Sequence, residues 1–401
     1  MGMNIGIVGC GIGGLAVASL LPRLGHKITI FERFPEPAPV GSGLVIQPVG
    51  QKVLAEIGVL EDALSLGARI NRMLGHEARS NRIVLDAQYA FGEANSFGLA
   101  IHRASLFSVL LNAAVTNDVD IETNATVTQV SPAPGRKILL EDGRSFGPFD
   151  LIIDASGTSS PLRPDFGKPL GYGAIWGNVN WSDDLPFGQN ELRQRYLGAR
   201  NMLGILPIGT LPGSKTRQAA IFWSLPQQSH ETWADRPLDD WKAKALALWP
   251  DFHHCLEQIT DHDQMVMARY RHGTMKSPIA DEIAHIGDAA HMASPQLGQG
   301  ANMALLDAHA LMLAIAARQN INEALALYAK ARRWHVRLYQ MMSAIFTPMY
   351  QSDSKILPLF RDRVLMPTSR IPPVPRILRR IVCGDMAHPY AGLGAAKPTN
   401  I

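Results

Sequence analysis

Six residues near the start of the chain, Gly9-Cys10-Gly11-Ile12-Gly13-Gly14, restrict its fold more than anything else in the sequence. They follow an apolar stretch, residues 4–8, that reads as a strand, and precede residues 15–24, which read as a helix closed by Gly25. Residues 27–31 read as a second strand, so the G-x-G-x-x-G run sits at the turn of a βαβ unit, the context a dinucleotide fold requires. Glycine there permits a tight turn, close approach of backbone to a pyrophosphate, and close packing of helix on strand. The helix N-terminus adds free N–H groups and a partial positive charge, so Gly9, Gly11, Ile12, Gly13 and Gly14 are expected at the pyrophosphate. Glu32 ends the second strand 18 residues after Gly14, where a carboxylate can accept hydrogen bonds from ribose hydroxyls. Pro22 removes one backbone hydrogen bond from the last turn of the helix and is expected to bend or end it. An adenine dinucleotide is implied, but the motif does not separate one such cofactor from another.

The 401 residues are 46% hydrophobic, enough for a large core and about two or three lobes of ordinary size. Lys and Arg outnumber Asp and Glu by only 38 to 35, so no strong field favours nucleic acid, and a small-molecule partner is expected. Cys10, Cys255 and Cys383 lack metal-ligand spacing, which predicts neither a disulfide framework nor a zinc site and suits a reducing, cytoplasmic compartment. No basic segment precedes the apolar N-terminus as in a signal peptide. No run of about 18 uninterrupted apolar residues suggests a spanning helix, so stable membrane insertion is not expected.

The texture changes between residues 171 and 273, where β-rich runs such as 202–208 and 218–225 alternate with Gly and Pro turns. Trp176, Trp181, Trp223, Trp233, Trp241 and Trp249 all fall there, suiting a filled core or an aromatic-lined pocket, the core being the commoner use. Beyond residue 274 an α/β pattern returns, with a strand over 282–286 and a long helix from Gly300. The tail holds Arg361, Arg363, Arg370, Arg376, Arg379 and Arg380. A solvated, packed tail is the ordinary reading; a membrane-surface or anionic-ligand role is the alternative, against which the run lacks a clean amphipathic period.

The segment Ile286-Gly287-Asp288-Ala289-Ala290-His291-Met292-Ala293-Ser294-Pro295-Gln296-Leu297-Gly298-Gln299-Gly300-Ala301-Asn302 resembles the Gly-Asp motif of flavoprotein monooxygenases with the para-hydroxybenzoate hydroxylase fold, the group A aromatic hydroxylases. The resemblance implies FAD, with Asp288 on the ribityl chain and Pro295, Gly298, Gln299, Gly300, Ala301 and Asn302 beside the isoalloxazine ring. Ala304, Ala308, Leu311 and Ile315 mark one face of the helix that begins at this loop, so its N-terminus can point at a ligand and support the negative charge of reduced flavin. Ile101-His102-Arg103-Ala104-Ser105-Leu106 resembles the family's Arg-x-x-Leu run, which places Arg103 on the pyrophosphate; a surface ion pair is the plain alternative. Residues 41–46 resemble the loop after the βαβ unit, and its Val45, with Arg33 and Val127, completes the residues expected at the cofactor. The similarity covers most of 4–165 and 280–385 and is thin between them. The fold it implies is α/β: a discontinuous, Rossmann-like (GR2-type) FAD-binding domain over 1–72, 97–168 and 275–345, an inserted, mainly antiparallel substrate domain over 73–96 and 169–274, and a helical C-terminal segment over 346–401.

The pattern departs from the family at Asp154-Ala155-Ser156-Gly157, where Ala-Asp-Gly is usual. Ser156 is neutral and accepts fewer hydrogen bonds than the Asp it replaces, which reads either as variation at a structural turn or as a change in how the reductant is handled. No second G-x-G-x-x-G run exists to hold a nicotinamide permanently, so NAD(P)H is expected as a transient electron donor. The Trp-x-Trp-x-Ile-Pro signature of flavin halogenases is missing.

By resemblance, reduced FAD and dioxygen give a C4a-hydroperoxyflavin that delivers one oxygen atom to a small aromatic or otherwise apolar substrate, while the protein positions and excludes water. A base for a phenol-like substrate is not identified; His102, His272 and His291 are more often structural than catalytic. Trp176, Tyr196, Leu203, Phe222 and Trp223 are the candidates to line a substrate pocket, but strand alternation alone does not say which face they occupy. A flavin dehydrogenase or reductase on the same fold, and a non-catalytic FAD-binding redox protein, are the competing functions; the ring-side loop argues against the last.

Overall fold

A computed structural model describes residues 2–37, 41–90 and 95–393; parts of the expected domain segments, 38–40, 91–94 and 394–401, lie outside the described residues. Strands β1 (Asn4–Val8) and β2 (Lys27–Phe31) stand where the pattern puts them, but the helix between them, α1 (Ile12–Leu20), begins earlier than residue 15. Gly11 caps it in extended conformation, so the turn is complete there and Ile12 is already helical. With Pro22 in the following turn, Leu21–Leu24 continues as a 3-10 turn, which Gly25 closes at φ 79°.

β1 lies inside a six-stranded sheet of order Ile279–Ala280, Ile283–His285, Leu151–Asp154, β1, β2, Asp120–Glu122. All neighbours pair in parallel except the first two. A parallel sheet covered on both faces needs strands that are apolar throughout, and β1 is buried along nearly its whole length. One face packs on α1 and on helices Arg103–Thr116 and Gly300–Ala317 through Leu15, Leu110 and Leu311. The other carries a small sheet, Val127–Val130, Arg136–Leu140 and Ser145–Phe149, through Val127, Ile138 and Phe149. The strand expected from residue 282 begins at Ile283, because Glu282 takes a left-handed φ of 53°.

A seven-stranded sheet follows the order Val266–Ala268, Tyr172–Asn180, Arg217–Pro226, Asn201–Thr210, Glu191–Leu197, Arg72–Glu77, Ile83–Gln88. It is antiparallel except where Arg72–Glu77 joins in parallel. Trp181, Trp223, Trp241 and Trp249 fill the core on one face with Phe187 and Phe252, and Trp233 packs against them. Core filling thus accounts for every tryptophan of this segment except Trp176, which faces the other side.

Helix Gly300–Ala317 is the one helix among the described residues long and apolar enough to cross a membrane, yet it packs inside the protein with Leu305 and Leu311 wholly enclosed. Helix Ile321–Tyr350 spans 30 residues and is followed by a continuous helical run over 356–368, with a π turn at Arg361–Leu365, and by Val374–Cys383. The tail is not solvated throughout, as its arginines suggested: Arg361 is 2% exposed and Arg379 9%. Nor is amphipathic order missing. The π turn and the prolines at 372 and 373 shift its phase, but within Val374–Cys383 Leu378, Ile381 and Val382 turn inward while Arg376 and Arg380 are exposed.

Candidate functional site

Between the two sheets lies a cavity of about 1350 Å³. Pockets for drug-sized ligands occupy roughly 300–1,000 Å³, so this one has room for a large cofactor together with a small second molecule.

Gly9, Gly11, Ile12 and Gly13 form one end of its wall, beside Glu32 and Arg33. The first N–H groups of α1 have no partner within the helix and open on this end, the arrangement that binds phosphate. A Cβ added at Gly11 would meet no protein atom within 4 Å and would project into the space a ligand needs. Gly14 does not line the cavity; a Cβ there would lie 2.1 Å from the Gly9 carbonyl oxygen, so its glycine serves the packing of α1 on its own turn. The Glu32 carboxylate accepts from the N–H of Cys10 at 3.0 Å and of Phe34 at 3.1 Å. It is thereby fixed over the glycine turn, with lone pairs left for hydroxyl groups.

Asp288 follows strand Ile283–His285, and its side chain is exposed to the cavity it lines rather than to a free surface. Closely packed surroundings push its carboxyl pKa up, opposed by the charges of His291, Arg103 and Arg163. Arg103 opens helix Arg103–Thr116, donates its backbone N–H to Ser42 O at 2.9 Å and lines the same wall. It makes no ion pair within 4 Å among the described residues, and burial lowers its pKa against the pull of Asp288. A guanidinium and a carboxylate that face one cavity and are close enough to act on each other are suited to phosphate and hydroxyl groups respectively.

Pro295, Gly298, Gly300 and Ala301 line the cavity on the loop expected beside the ring, and Val45 and Val127 also line it. Gln299 and Asn302 do not. Asn302 is fully enclosed, donating to Val45 O at 3.1 Å and Gly298 O at 2.9 Å and accepting from Gln47 N–H at 2.8 Å. Gln299 donates to Val382 O at 3.0 Å, tying the loop to the last helix. Both hold the loop in place from behind.

Ser156 also lines the cavity, but its hydroxyl donates to the enclosed Asp154 carboxylate, which Ser160 and His285 also bond. Burial raises the Asp154 pKa, and His285 and the two serines more than reverse this, leaving it below the ordinary range. The negative charge of this segment therefore sits two residues earlier than in the Ala-Asp-Gly pattern, under the wall rather than on it.

Of the residues expected to line a substrate pocket, Trp176 and Phe222 do. Leu203 and Trp223 oppose each other on the core face of the sheet, and Tyr196 lies fully buried behind Gln194. The register decides this: Trp176 pairs with Phe222, one step out of phase with the Leu203–Trp223 pair. None of the three candidate histidines reaches the cavity, and no histidine is among the described residues of its wall. His291 Nε2 bonds Asp307 at 2.6 Å, His102 Nδ1 accepts from Ala104 N–H at 3.0 Å, and His272 pairs with Lys168 between strands.

Sequence reasoning missed Tyr270 and Gln194 and named Arg361 only as a tail arginine; all three are on the wall. Tyr270 accepts from Trp176 Nε1 at 3.0 Å, and burial pushes its pKa up, so it keeps a proton to donate. Gln194 accepts from the Tyr196 hydroxyl at 2.6 Å and offers its amide N–H only to the Met202 sulfur at 3.6 Å. Arg361 stacks between the rings of Tyr196 and Tyr350, its centre 5.0 and 4.9 Å from theirs. Only a joint reading of strand register and tail helix could have found them. Around them the wall is apolar: Met73, Val84, Met202, Leu206, Phe346 and Met349.

A family model described as "FAD binding domain" matches residues 3–342. The chain is 26% identical over 377 residues, 92% of each partner, to a probable 2-heptyl-3-hydroxy-4(1H)-quinolone synthase of Rhodococcus erythropolis. It is 27% identical to a 3-hydroxybenzoate 6-hydroxylase of Klebsiella oxytoca, covering 81% of this chain and 83% of the other. Among solved structures, Klebsiella pneumoniae HpxO complexed with FAD and uric acid superposes with a TM-score of 0.79 at 20% identity, covering 96% of this chain and 98% of that one. A 2-methyl-3-hydroxypyridine-5-carboxylic acid oxygenase superposes at 0.78 and 19% identity over 96% and 98%.

Proposed function

The chain belongs to the FAD-binding family whose model it matches over residues 3–342, and from that premise we propose that it is an FAD-dependent monooxygenase that hydroxylates a small aromatic substrate. One observation carries the reading: the glycine turn, Arg103, Asp288 and the loop at Pro295 to Ala301 converge on one cavity whose remaining wall is apolar and aromatic. The pyrophosphate would lie on the N-terminus of α1 beside Arg103, the adenosine ribose on Glu32, the ribityl chain on Asp288, and the ring against Pro295, Gly298 and Ala301. Arg33, Val45 and Val127 would close around it. Gly14, Gln299 and Asn302 would act from behind by packing and hydrogen bonding.

When bound and reduced, FAD supplies the activation of dioxygen. The chain's own work is to seat the substrate between the ring-side loop and the sheet, with Trp176 and Phe222 against its ring and the Tyr270 hydroxyl and Gln194 amide donating to its polar atom. The apolar wall excludes water. Asp86 is held by Arg72 at 2.8 and 2.9 Å, and Arg361 by Asp362 and backbone carbonyls, which leaves Arg269, beside Tyr270 on the wall, as a cation able to meet a polar or anionic group on the ring. Relatives named for quinolone and hydroxybenzoate substrates agree with an aromatic ring. NAD(P)H is the proposed donor, bound transiently. The cofactor domain is proposed to be discontinuous, with strands 4–8 and 283–285 of one sheet as its support, and the sheet holding residues 72–88 and 172–226 as the substrate domain. The buried thiols of Cys10 and Cys255 suit the cytoplasm.

The test is the absorbance spectrum of the purified protein, then anaerobic reduction by NADH or NADPH and reoxidation in air with a hydroxylatable aromatic present. Bound FAD, reduction by one nucleotide and oxygenated product are expected. Reoxidation that releases only peroxide with every substrate moves the reading to a flavin dehydrogenase or reductase, and a protein that cannot be loaded with FAD removes it.

A further inference from the structure

The helical run over 356–368 has an inner and an outer side. Inward, Pro358, Arg361 and Met366 are buried, and Arg361, Leu365 and Met366 line the cavity. Outward, Ile356, Leu359, Phe360 and Val364 are exposed by 76%, 54%, 42% and 47%. Spacings of three and four set them, with Arg363, on one stripe. A helix that is apolar on both sides belongs in a core or against hydrocarbon, not in water. The preceding helix also exposes Trp334, Met341 and Ile345, which its spacing of seven and four sets in one line, with Arg333 and Arg337 against the Trp334 ring.

Charge is concentrated in the same segment. Residues 330–380 contain eleven Lys and Arg against only Asp353 and Asp362, a net +9 in a chain of net +3, which leaves the rest at −6. Arg363, Arg370 and Arg376 are exposed and make no ion pair among the described residues.

We propose that this face docks on an anionic lipid bilayer, its apolar stripe entering the boundary between headgroups and acyl chains and its arginines meeting lipid phosphates. Basic residues interleaved with large apolar ones are what an interfacial helix presents. A second copy of the chain would set the exposed Arg363, Arg370 and Arg376 of one against those of the other, and a nucleic acid would have no use for a stripe of Ile, Leu, Phe and Val. The proposal goes beyond the cofactor reading and does not depend on it. Its consequence is spatial: one helix thickness separates the bilayer from the cavity, and Ile377 is both 37% exposed and part of the cavity wall.

The experiment is flotation of the purified holoprotein with vesicles of phosphatidylcholine alone and of phosphatidylcholine with phosphatidylglycerol. Binding to the second kind only is expected, weakening as salt is raised. The variants Leu359→Glu/Phe360→Glu and Arg363→Glu/Arg370→Glu should each bind roughly tenfold more weakly, with flavin absorbance and circular dichroism unchanged. Failure to bind anionic vesicles, equal binding to neutral ones, or variants that bind like the parent would overturn the proposal. So would a dimer in sedimentation that Leu359→Glu/Phe360→Glu dissociates, since the face would then be a subunit interface. Vesicle binding by a chain that refuses FAD would leave this proposal standing and remove the cofactor reading.

Discussion

Asp307 receives His291 Nε2 at 2.6 Å, Arg332 Nε at 2.7 Å and the Gly287 N–H at 2.9 Å, all out of reach of water. Burial pushes its carboxyl up, but the charges of His291 and Arg332 outweigh this and hold it down to about 2. A carboxylate depressed in the folded state contributes stability that is complete above its unfolded pKa, near 4, and is lost as pH falls toward 2, here about 2 kcal/mol. His335 acts earlier on the scale: burial and Arg332 lower it to about 3, so below about 6.5 the unfolded chain takes a proton that the folded one refuses. Denaturant unfolding across pH should therefore show stability falling from about pH 6.5 downward, with His335→Gln flattening the upper part and Asp307→Asn the part below about 4. Parallel curves for parent and variants would disprove this account. Tyr270→Phe should raise KM for the aromatic substrate roughly tenfold with little change in kcat, since it removes a donor that acts on bound substrate throughout; an unchanged KM would exclude the donor role. At this scale the sequence was legible where backbone itself forms the cavity wall, as at Gly9, Gly11 and Gly13. It was silent about Tyr270 and Gln194, and it placed Arg361 in the tail without a pocket, because which residues of distant segments face them decides their roles.

Asn302 joins three backbone positions of two elements, the loop at Gly298 and the strand end at Val45 and Gln47. Replacing it by Ala leaves those buried groups without partners, for an expected loss of about 3 kcal/mol and looser flavin, measurable by unfolding and by dialysis. Gly14→Ala should do comparable damage by another route, because its Cβ 2.1 Å from Gly9 O would lever α1 off the turn; a variant with full flavin occupancy would show that the turn can give way. The βαβ elements were legible because period and punctuation agree there. The faces of the antiparallel strands were not, since a single step of register exchanges Trp176 and Phe222 with Leu203 and Trp223. The inward side of the tail was hidden by a π turn that breaks the helical period on which such readings rest.

For the molecule as a whole, α/β architecture, a middle antiparallel sheet and a helical end were all readable, whereas the size of the cavity they enclose was not, being a property of no single segment. Because the cavity engages both the glycine turn and the ring-side loop, FAD at about 100 times its Kd should add about 2.7 kcal/mol and raise the thermal midpoint by a few degrees. FMN, lacking the adenosine half, should do so far less; equal shifts would show that the glycine turn is not engaged. The six-stranded sheet also sets a schedule. Its first strand, 4–8, pairs with 151–154, and that strand with 283–285, so the strands that lead into the glycine turn and into Asp288 leave the ribosome far apart in time. At about 5–20 residues per second the interval is on the order of tens of seconds, during which the first apolar strand waits beside a half-built sheet. The nascent chain should therefore depend on chaperones early and acquire flavin only near the end of its synthesis.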